Sequence, residues 1–319
     1  MTVLVTGGAG FIGSNLVREL VALDEHVVAF DDLSTGSARN LETVNGRLDL
    51  VVGDVRDASA VRRAARGARA VFHLAALGSV ERSIGDPFTT HAVNVNGTLN
   101  VLVAAREEGA ERLVFASSSS VYGDTPTLPK EESMAVSPLS PYAASKLAAE
   151  SYCRAFYRSY ELGTVCLRFF NVFGPRQDPQ SRYAAVIPRF ITAINEGRAP
   201  EIFGDGHQSR DFTYVDNVVQ AMIQAASASG PALGEAMNVA CGGRISLLQL
   251  LGELNTVMGA SVQPVFRPRR RGDVAHSEAA IEKARLMIGY SPRVSFSEGL
   301  ATTAAWFTSQ EATPVAATP

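Results

Sequence analysis

The chain opens with "TVLVTGGAGFIG", residues 2–13, in which a short β-branched apolar run passes directly into glycines spaced G-x-x-G-x-x-G. The run reads as a buried strand, and Gly7, Gly10 and Gly13 let the backbone turn tightly into a helix beginning near Phe11. Free N–H groups at the mouth of such a helix suit a phosphate. Strand, bare turn and helix mouth in this order make the first unit of a chain built on parallel strands. The stretch has no basic leader and glycine breaks it after a few residues, so it reads as a strand and not as an export signal.

The same alternation continues. Apolar runs are expected as strands at Thr2–Thr6, His26–Asp31, Leu48–Val52, Ala70–Ala75, Leu113–Ser117 and Thr164–Phe169. Helical periodicity covers Phe11–Leu23, Ala58–Arg66, a long segment Pro87–Glu108, and Pro141–Tyr160. Strand, helix, strand implies right-handed crossovers, hence an α/β, doubly wound parallel sheet covered on both faces. After residue 170 the regularity gives way to Gly/Pro-punctuated loops, with shorter helices near Ala185–Glu196, Val215–Ala228 and Leu247–Met258. Residues 171–308 are therefore expected to form mainly a smaller, substrate-covering part with some segments returning to the sheet. Residues 309–319 read as a disordered tail.

With 319 residues, 46% hydrophobic, the chain can bury a large core. Its net charge is only −3, so neither nucleic acid nor an anionic membrane is the expected partner, and no apolar run is long enough for a membrane span. Cys153, Cys166 and Cys241 are odd in number and widely spaced, which argues against disulfides and against a metal site and suggests a reducing cytoplasm.

Asp31 ends the second strand, where a carboxylate can take ribose hydroxyls and repel a 2′-phosphate, so the expected dinucleotide is NAD and not NADP. In "GDVRD", Asp54 and Val55 end the third strand and could edge an adenine, although a plain turn explains them equally well. "HLAA", from His73 to Ala76, ends the fourth with small residues that let the backbone run beside a cofactor. His73 itself reads as a packed, hydrogen-bonded residue.

Tyr142 and Lys146 stand four apart on a helix begun by Ser140 and Pro141, and so share one face. A free phenol, with a pKa of about 10, is a poor base at neutral pH. A neighbouring ammonium and a positive nicotinamide ring are both expected to favour the phenolate and lower it toward the range useful for proton transfer. The serine run "SSSSVYG", residues 117–123, supplies a hydroxyl to hold a substrate oxygen.

Taken together, "TGGAGFIG", "GDVRD", "HLAA", "NVNGT", "SSSSVYG", "PYAASK", "RFFNVFGPRQDP", "GDGHQSRDFTYVDN" and "RRRGDVAHS" resemble the extended short-chain dehydrogenase/reductase family over nearly the whole chain. Within it the chain looks most like the UDP-hexose 4-epimerases, especially bacterial enzymes acting on UDP-N-acetylglucosamine and UDP-glucose. The resemblance implies a Rossmann domain over residues 1–170 and a substrate-binding domain after it. It implies NAD held by Gly7, Gly10, Phe11, Ile12, Gly13, Asp31, Asp32, Ser34, Gly36, Asp54, Val55, Leu74, Ala75, Ala76, Asn94, Tyr142 and Lys146. Tyr142 would remove the 4-hydroxyl proton while C4 gives hydride to NAD, and the 4-keto sugar would turn over and take hydride back on its other face. By position before the Val-Tyr-Gly turn, Ser118 is the catalytic serine, and Lys146 holds the nicotinamide ribose.

For the substrate, the resemblance places Arg210 and Arg270 on the pyrophosphate and Asp273 on the uridine ribose. Phe203 lies beside the uracil, and Asn171, Ala185 and Val186 lie near the sugar nucleotide. Ser119 and Ser120 stand where the related 4,6-dehydratases carry Asp and Glu, and the decarboxylases carry Glu at the second; a hydroxyl cannot supply a carboxyl proton. Ser277 falls where relatives vary between tyrosine and a small residue beside the sugar's 2-substituent, so an N-acetyl group is expected to fit. UDP-glucuronate 4-epimerases, which can also read "SSSSVYG", are the first alternative, and a nucleotide-sugar dehydratase or decarboxylase of the same family is the second. A redox-sensing NAD-binding protein with a decayed site is disfavoured because Ser118, Tyr142 and Lys146 are all present. The resemblance further implies a homodimer, and dTDP in place of UDP stays open.

Overall fold

The computed structural model describes residues 1–178, 185–269 and 275–311. In chain order it begins with β1 (Thr2–Thr6), α1 (Phe11–Ala22), β2 (His26–Asp31), β3 (Leu48–Val52), α2 (Ala58–Ala65) and β4 (Ala70–His73). Then come α3 (Val80–Gly85), α4 (Pro87–His91), a π-helical turn over Ala92–Asn96, α5 (Gly97–Glu107), β5 (Arg112–Ser118), α6 (Pro141–Tyr160) and β6 (Gly163–Phe169). The next elements are β7 (Val172–Phe173), α7 (Val186–Asn195), β8 (Glu201–Phe203), β9 (Ser209–Arg210), β10 (Thr213–Tyr214) and α8 (Val215–Ala226). The last are β11 (Glu235–Val239), β12 (Ile245–Ser246), α9 (Leu247–Met258), β13 (Val265–Arg267), α10 (Glu282–Ile288) and α11 (Phe296–Glu311).

Seven parallel strands form one sheet in the order β11-β6-β5-β4-β1-β2-β3, the doubly wound arrangement expected from the strand–helix alternation. The order reverses between β1 and β4, and this opens a crevice at their C-terminal ends. Alternation of side chains along each strand divides the core into two layers. Val3 and Val5 join Leu16, Val17 and Leu20 of α1 in one, whereas Leu4 joins Val61, Leu102 and Ala105 in the other. Each such valine or leucine, fully buried, contributes about 1.5–3 kcal/mol. From the C-terminal half, β11 returns to the sheet beside β6, while β7–β10, β9–β12 and β8–β13 are short pairs outside it.

Three elements differ from the sequence expectations. β4 stops at His73, and residues 74–79 leave the strand to wall the crevice. The segment from Pro87 is not one regular α-helix, because five residues, Ala92–Asn96, take a π turn, a local widening common at functional sites. α11 runs on to Glu311, across the start of the tail expected from Ser309; residues 312–319 lie outside the described residues.

Candidate active site

The glycine turn is dictated by contact. Gly7 has φ +70°, and a Cβ there would lie 2.7 Å from the Ala75 nitrogen; at Gly13 it would lie 2.0 Å from the Gly7 carbonyl oxygen. Only glycine lets β1, the turn and the post-β4 segment approach this closely. Gly10, the N-cap of α1, brings no side chain to its first N–H groups, which leaves them for a ligand. Asp31 is 6% exposed and accepts from the Ala9 and Leu33 amides, each at 2.9 Å. Burial raises its pKa above the ordinary value, and those two amides oppose the rise.

A cavity of about 450 Å³ follows from this arrangement. Gly7, Gly10, Phe11, Ile12 and Gly13 line it from the turn, Asp31, Asp32 and Ser34 from the end of β2, and Val55, Leu74, Ala75 and Ala76 from the next two strand ends. Tyr142 and Lys146 of α6 line it too. A dinucleotide fits this surface: bare amides at the helix mouth for the phosphates, and a carboxylate at the strand end for a ribose.

Three expected cofactor residues stand outside the lining. Gly36 packs where a Cβ would meet the Ala9 backbone and Asp31 at 2.9 Å. Asp54 turns from the cavity to Arg56, whose Nε donates to it at 2.8 Å, because a guanidinium two residues away outcompetes solvent. Asn94, 1% exposed on the π turn, acts one step back. Its Oδ1 accepts from the Leu77 amide at 2.8 Å and its Nδ2 donates to Ser145 Oγ at 2.9 Å, tying the post-β4 segment to α6. Sequence reasoning missed Leu77, Ser79, Arg82 and Gln177, all of which line the cavity. The one local signal was Ser79, whose Oγ caps the six-residue α3 by accepting from the Arg82 amide at 3.1 Å.

The side chains expected to react meet at the junction of β5 and α6. Ser140 caps α6 by accepting from the Ala143 amide at 3.1 Å, and Pro141 fills its first turn. One turn on, Lys146 is 4% exposed; its Nζ donates to the Ala116 carbonyl at 2.8 Å and lies 4.9 Å from the Phe115 ring centre. Burial lowers its pKa to about 8. Ser118 ends β5, and its Oγ accepts from the Ser120 amide at 3.2 Å and from Ser120 Oγ at 2.9 Å. Ser119 and Ser120 begin the 3-10 turn that follows. The Ser118 side chain also acts on Tyr142, favouring its phenolate.

One electrostatic expectation is corrected. Tyr142 is not lowered by Lys146: burial raises its pKa above the ordinary phenol, with the Ser118 hydrogen bond as the opposing effect, while Lys146 is occupied by the Ala116 carbonyl. His73 is fully buried, with Nδ1 2.7 Å from Thr6 Oγ1 and Nε2 2.9 Å from Thr98 Oγ1. Burial and then Lys146 depress its pKa to about 3, so it stays neutral as a packed residue.

A second cavity, of about 260 Å³, adjoins the first at Val172, which lines both. Asn171, Ala185, Val186, Phe203 and Arg210 line it, drawn from β7, α7, β8 and β9 and the chain beside them. Arg210 Nη1 donates to the Ser209 and Ala275 carbonyls at 2.9 and 3.1 Å, which fixes the guanidinium at the cavity wall. Ser277 does not line this cavity, but its Oγ accepts from Asn171 Nδ2 at 3.0 Å. Gln208, Phe212 and Leu247 line it unforeseen. Arg270 and Asp273 lie outside the described residues.

Residues 3–240 match the NAD dependent epimerase/dehydratase family. This chain belongs to that family. Over 311 residues it is 41% identical to a UDP-glucose 4-epimerase of Mycolicibacterium smegmatis, covering 96% of this chain and 98% of the relative. A UDP-N-acetylglucosamine 4-epimerase from Methanobrevibacter ruminantium, solved in complex with UDP-N-acetylmuramic acid, superposes with a TM-score of 0.92 at 40% identity, over 97% of this chain and 98% of that one. A UDP-glucose 4-epimerase from Thermotoga maritima, solved with UDP-glucose, gives 0.92 at 35% identity, over 98% and 100%. No helix among the described residues is long and apolar enough to cross a membrane.

Proposed function

We propose that this chain is an NAD-dependent nucleotide-sugar 4-epimerase acting on UDP-hexoses. The observation that carries the reading is the Ser118–Tyr142–Lys146 junction, with only hydroxyls, Ser119 and Ser120, beside the catalytic serine. A cofactor seated on the glycine turn, Asp31 and Lys146 supplies the means of oxidising the sugar's C4 and reducing it again. Tyr142 takes the proton of the 4-hydroxyl and later returns it, while Ser118 holds the same oxygen. In the chain alone, burial keeps the phenol protonated; Lys146, charged at neutral pH, is one turn away to stabilise the phenolate as it forms. Since neither of the two residues after Ser118 carries a carboxyl, elimination lacks an acid there, and return of the hydrogen is the expected fate of the ketone.

The second cavity takes the nucleotide end, with Phe203 against the base and Arg210 on the pyrophosphate, joined by Arg270 and Asp273. Ser277, kept small and tied to Asn171, leaves room for an N-acetyl group. The test is a product assay without added reductant on UDP-galactose, UDP-GlcNAc and UDP-glucuronate, read by NMR of the anomeric proton. Conversion of UDP-galactose to UDP-glucose is expected; conversion of UDP-glucuronate alone would move the enzyme to the glucuronate class. Ser277→Tyr is expected to lower the rate on UDP-GlcNAc more than on UDP-galactose, and an unchanged ratio would sink the role given to Ser277.

The same reading includes a homodimer through the α3–α6 side, where Ile84 is 66% and Phe88 87% exposed, and a reducing, cytoplasmic setting for the three unpaired cysteines. A monomeric mass in light scattering would remove the first, and recovery in a secreted fraction the second.

A further inference from the structure

Behind the reacting residues lies a buried ionic network that the proposed chemistry does not use. Glu150 follows Lys146 by one helical turn and is 7% exposed; Arg168 of β6 is 6% exposed. Arg168 grips both Glu150 oxygens, Nε to Oε1 at 2.9 Å and Nη2 to Oε2 at 2.8 Å. Its remaining nitrogen, Nη1, donates to the Tyr122 hydroxyl at 2.9 Å, which donates in turn to Asn238 Oδ1 on β11 at 2.7 Å. Glu150 Oε1 also accepts from Ser117 Oγ at 2.5 Å.

The placement is specific. Ser117 lies between Ala116, whose carbonyl holds Lys146, and Ser118. Tyr122 ends the 3-10 turn that Ser118 opens. One charged pair thus binds the helix carrying Tyr142 and Lys146 to the strand carrying Ser118, to the turn after that strand, and to the next two strands of the sheet. A buried ion pair is a poor source of stability, since its desolvation consumes most of its attraction, and an apolar pair of equal volume serves a core as well. It does hold geometry, because all three Arg168 nitrogens and both Glu150 oxygens have partners in one arrangement.

We propose that Glu150 and Arg168, through Ser117 and Tyr122, are positioning residues for the reaction, fixing the distance between the Ser118 strand end and the Tyr142–Lys146 face and holding the charge of Lys146. The inference rests on the epimerase reading only for its kinetic readout. The charged and titratable groups around Lys146 are His73 from β4, Tyr142, Glu150 and Cys153 from α6, and, across Glu150, Arg168 from β6. Glu150 and Cys153 favour the ammonium, and burial opposes it.

The test uses the full chain. Ser117→Ala removes one hydroxyl without stranding a charge, and Ser117→Thr restores it. Expected is a loss of about tenfold in kcat with KM within about twofold for Ser117→Ala, reversed by Ser117→Thr. Glu150→Gln should move the alkaline limb of the kcat profile down by about half a pH unit or more, since it removes the anion that favours the ammonium. The sequence holds three lysines, Lys130, Lys146 and Lys283, so their ε-carbon NMR signals can be followed without substrate. That titration separates the two ideas: a chain that turns over no sugar nucleotide defeats the epimerase reading, while the Lys146 midpoint still reports on the network. It should fall in Glu150→Gln, and in Ser117→Ala it should differ from the parent and return in Ser117→Thr. If Glu150→Gln does not fold, the Ser117 pair decides alone. A Lys146 midpoint and a kcat unchanged in Ser117→Ala, with only the melting temperature lowered, would overturn the proposal.

Discussion

The two cavities that meet at Val172 are built in opposite ways. The larger is bounded by backbone at strand ends of one sheet, and its decisive residues are those with no side chain, Gly7 and Gly13, plus a carboxylate held by the Ala9 and Leu33 amides. The smaller is bounded by side chains from short elements scattered over residues 171–247, with little regular structure to fix them. Rigidity in the first comes from the sheet; in the second it comes from individual hydrogen bonds such as those of Arg210 and Asn171. The first should therefore fail in one step when altered, and the second should weaken gradually.

The most damaging change expected lies at the junction. Tyr142→Phe should lower kcat by about 10²–10⁴ while leaving bound NAD, measured after denaturation, at the parent level. Loss of the cofactor along with activity would show that the phenol holds the first cavity together and does more than move a proton. Next, Gly13→Ala should abolish NAD retention and cost about 1–3 kcal/mol in urea denaturation, because its Cβ would press on the Gly7 carbonyl, which has no room to shift. Against it stands Phe203→Ala in the second cavity, expected to raise KM about tenfold with kcat and NAD content kept. If the two glycine and phenylalanine variants gave similar losses of cofactor, the contrast between the cavities would break.

A last contrast is in pH dependence, where the two sides carry opposite signs. His73, beside the first cavity, is held at about 3, below its ordinary value of about 6.5, so the unfolded chain binds the extra proton between those values. Its contribution to stability is present above pH 6.5 and lost as pH falls toward 3, with a slope of up to about 1.4 kcal/mol per unit. Asp211, next to Arg210, accepts from the Cys241 and Gly242 amides but is raised by burial to about 6. What it contributes is present below about pH 4 and lost as pH rises through 6. Urea denaturation of His73→Gln and Asp211→Asn from pH 4 to 7 should give a flatter acid decline for the first and a steeper one for the second.

The parts of the site that were legible in sequence are those where one residue type is forced by its neighbours on the same strand or turn. The G-x-x-G-x-x-G turn, Asp31 at a strand end and the Tyr142–Lys146 spacing all depend on local geometry. The misses depend on distance in sequence. Leu77, Ser79 and Arg82 line the first cavity because Asn94, on an unforeseen π turn, pulls their segment in. Gln177 reaches the cavity from the chain beyond β7. Asp54 was placed correctly in the chain but turned to Arg56, a choice of rotamer and partner that spacing does not record. The raised pKa of Tyr142 was missed for the same kind of reason: proximity on a helix face says nothing of the burial that keeps the phenol protonated in the chain alone.

By itself the sequence determined the doubly wound sheet, the dinucleotide turn and the chemical types at the reacting centre, because strand periodicity, glycine's freedom and helical spacing are properties of neighbouring residues. The tertiary structure alone decided which protonation states those residues hold when buried and which side chains line the second cavity. It also decided that Glu150 and Arg168 join the reacting helix to the reacting strand. Burial and pairing are set by groups that meet only when the sheet closes, and no local pattern encodes the low dielectric they then share.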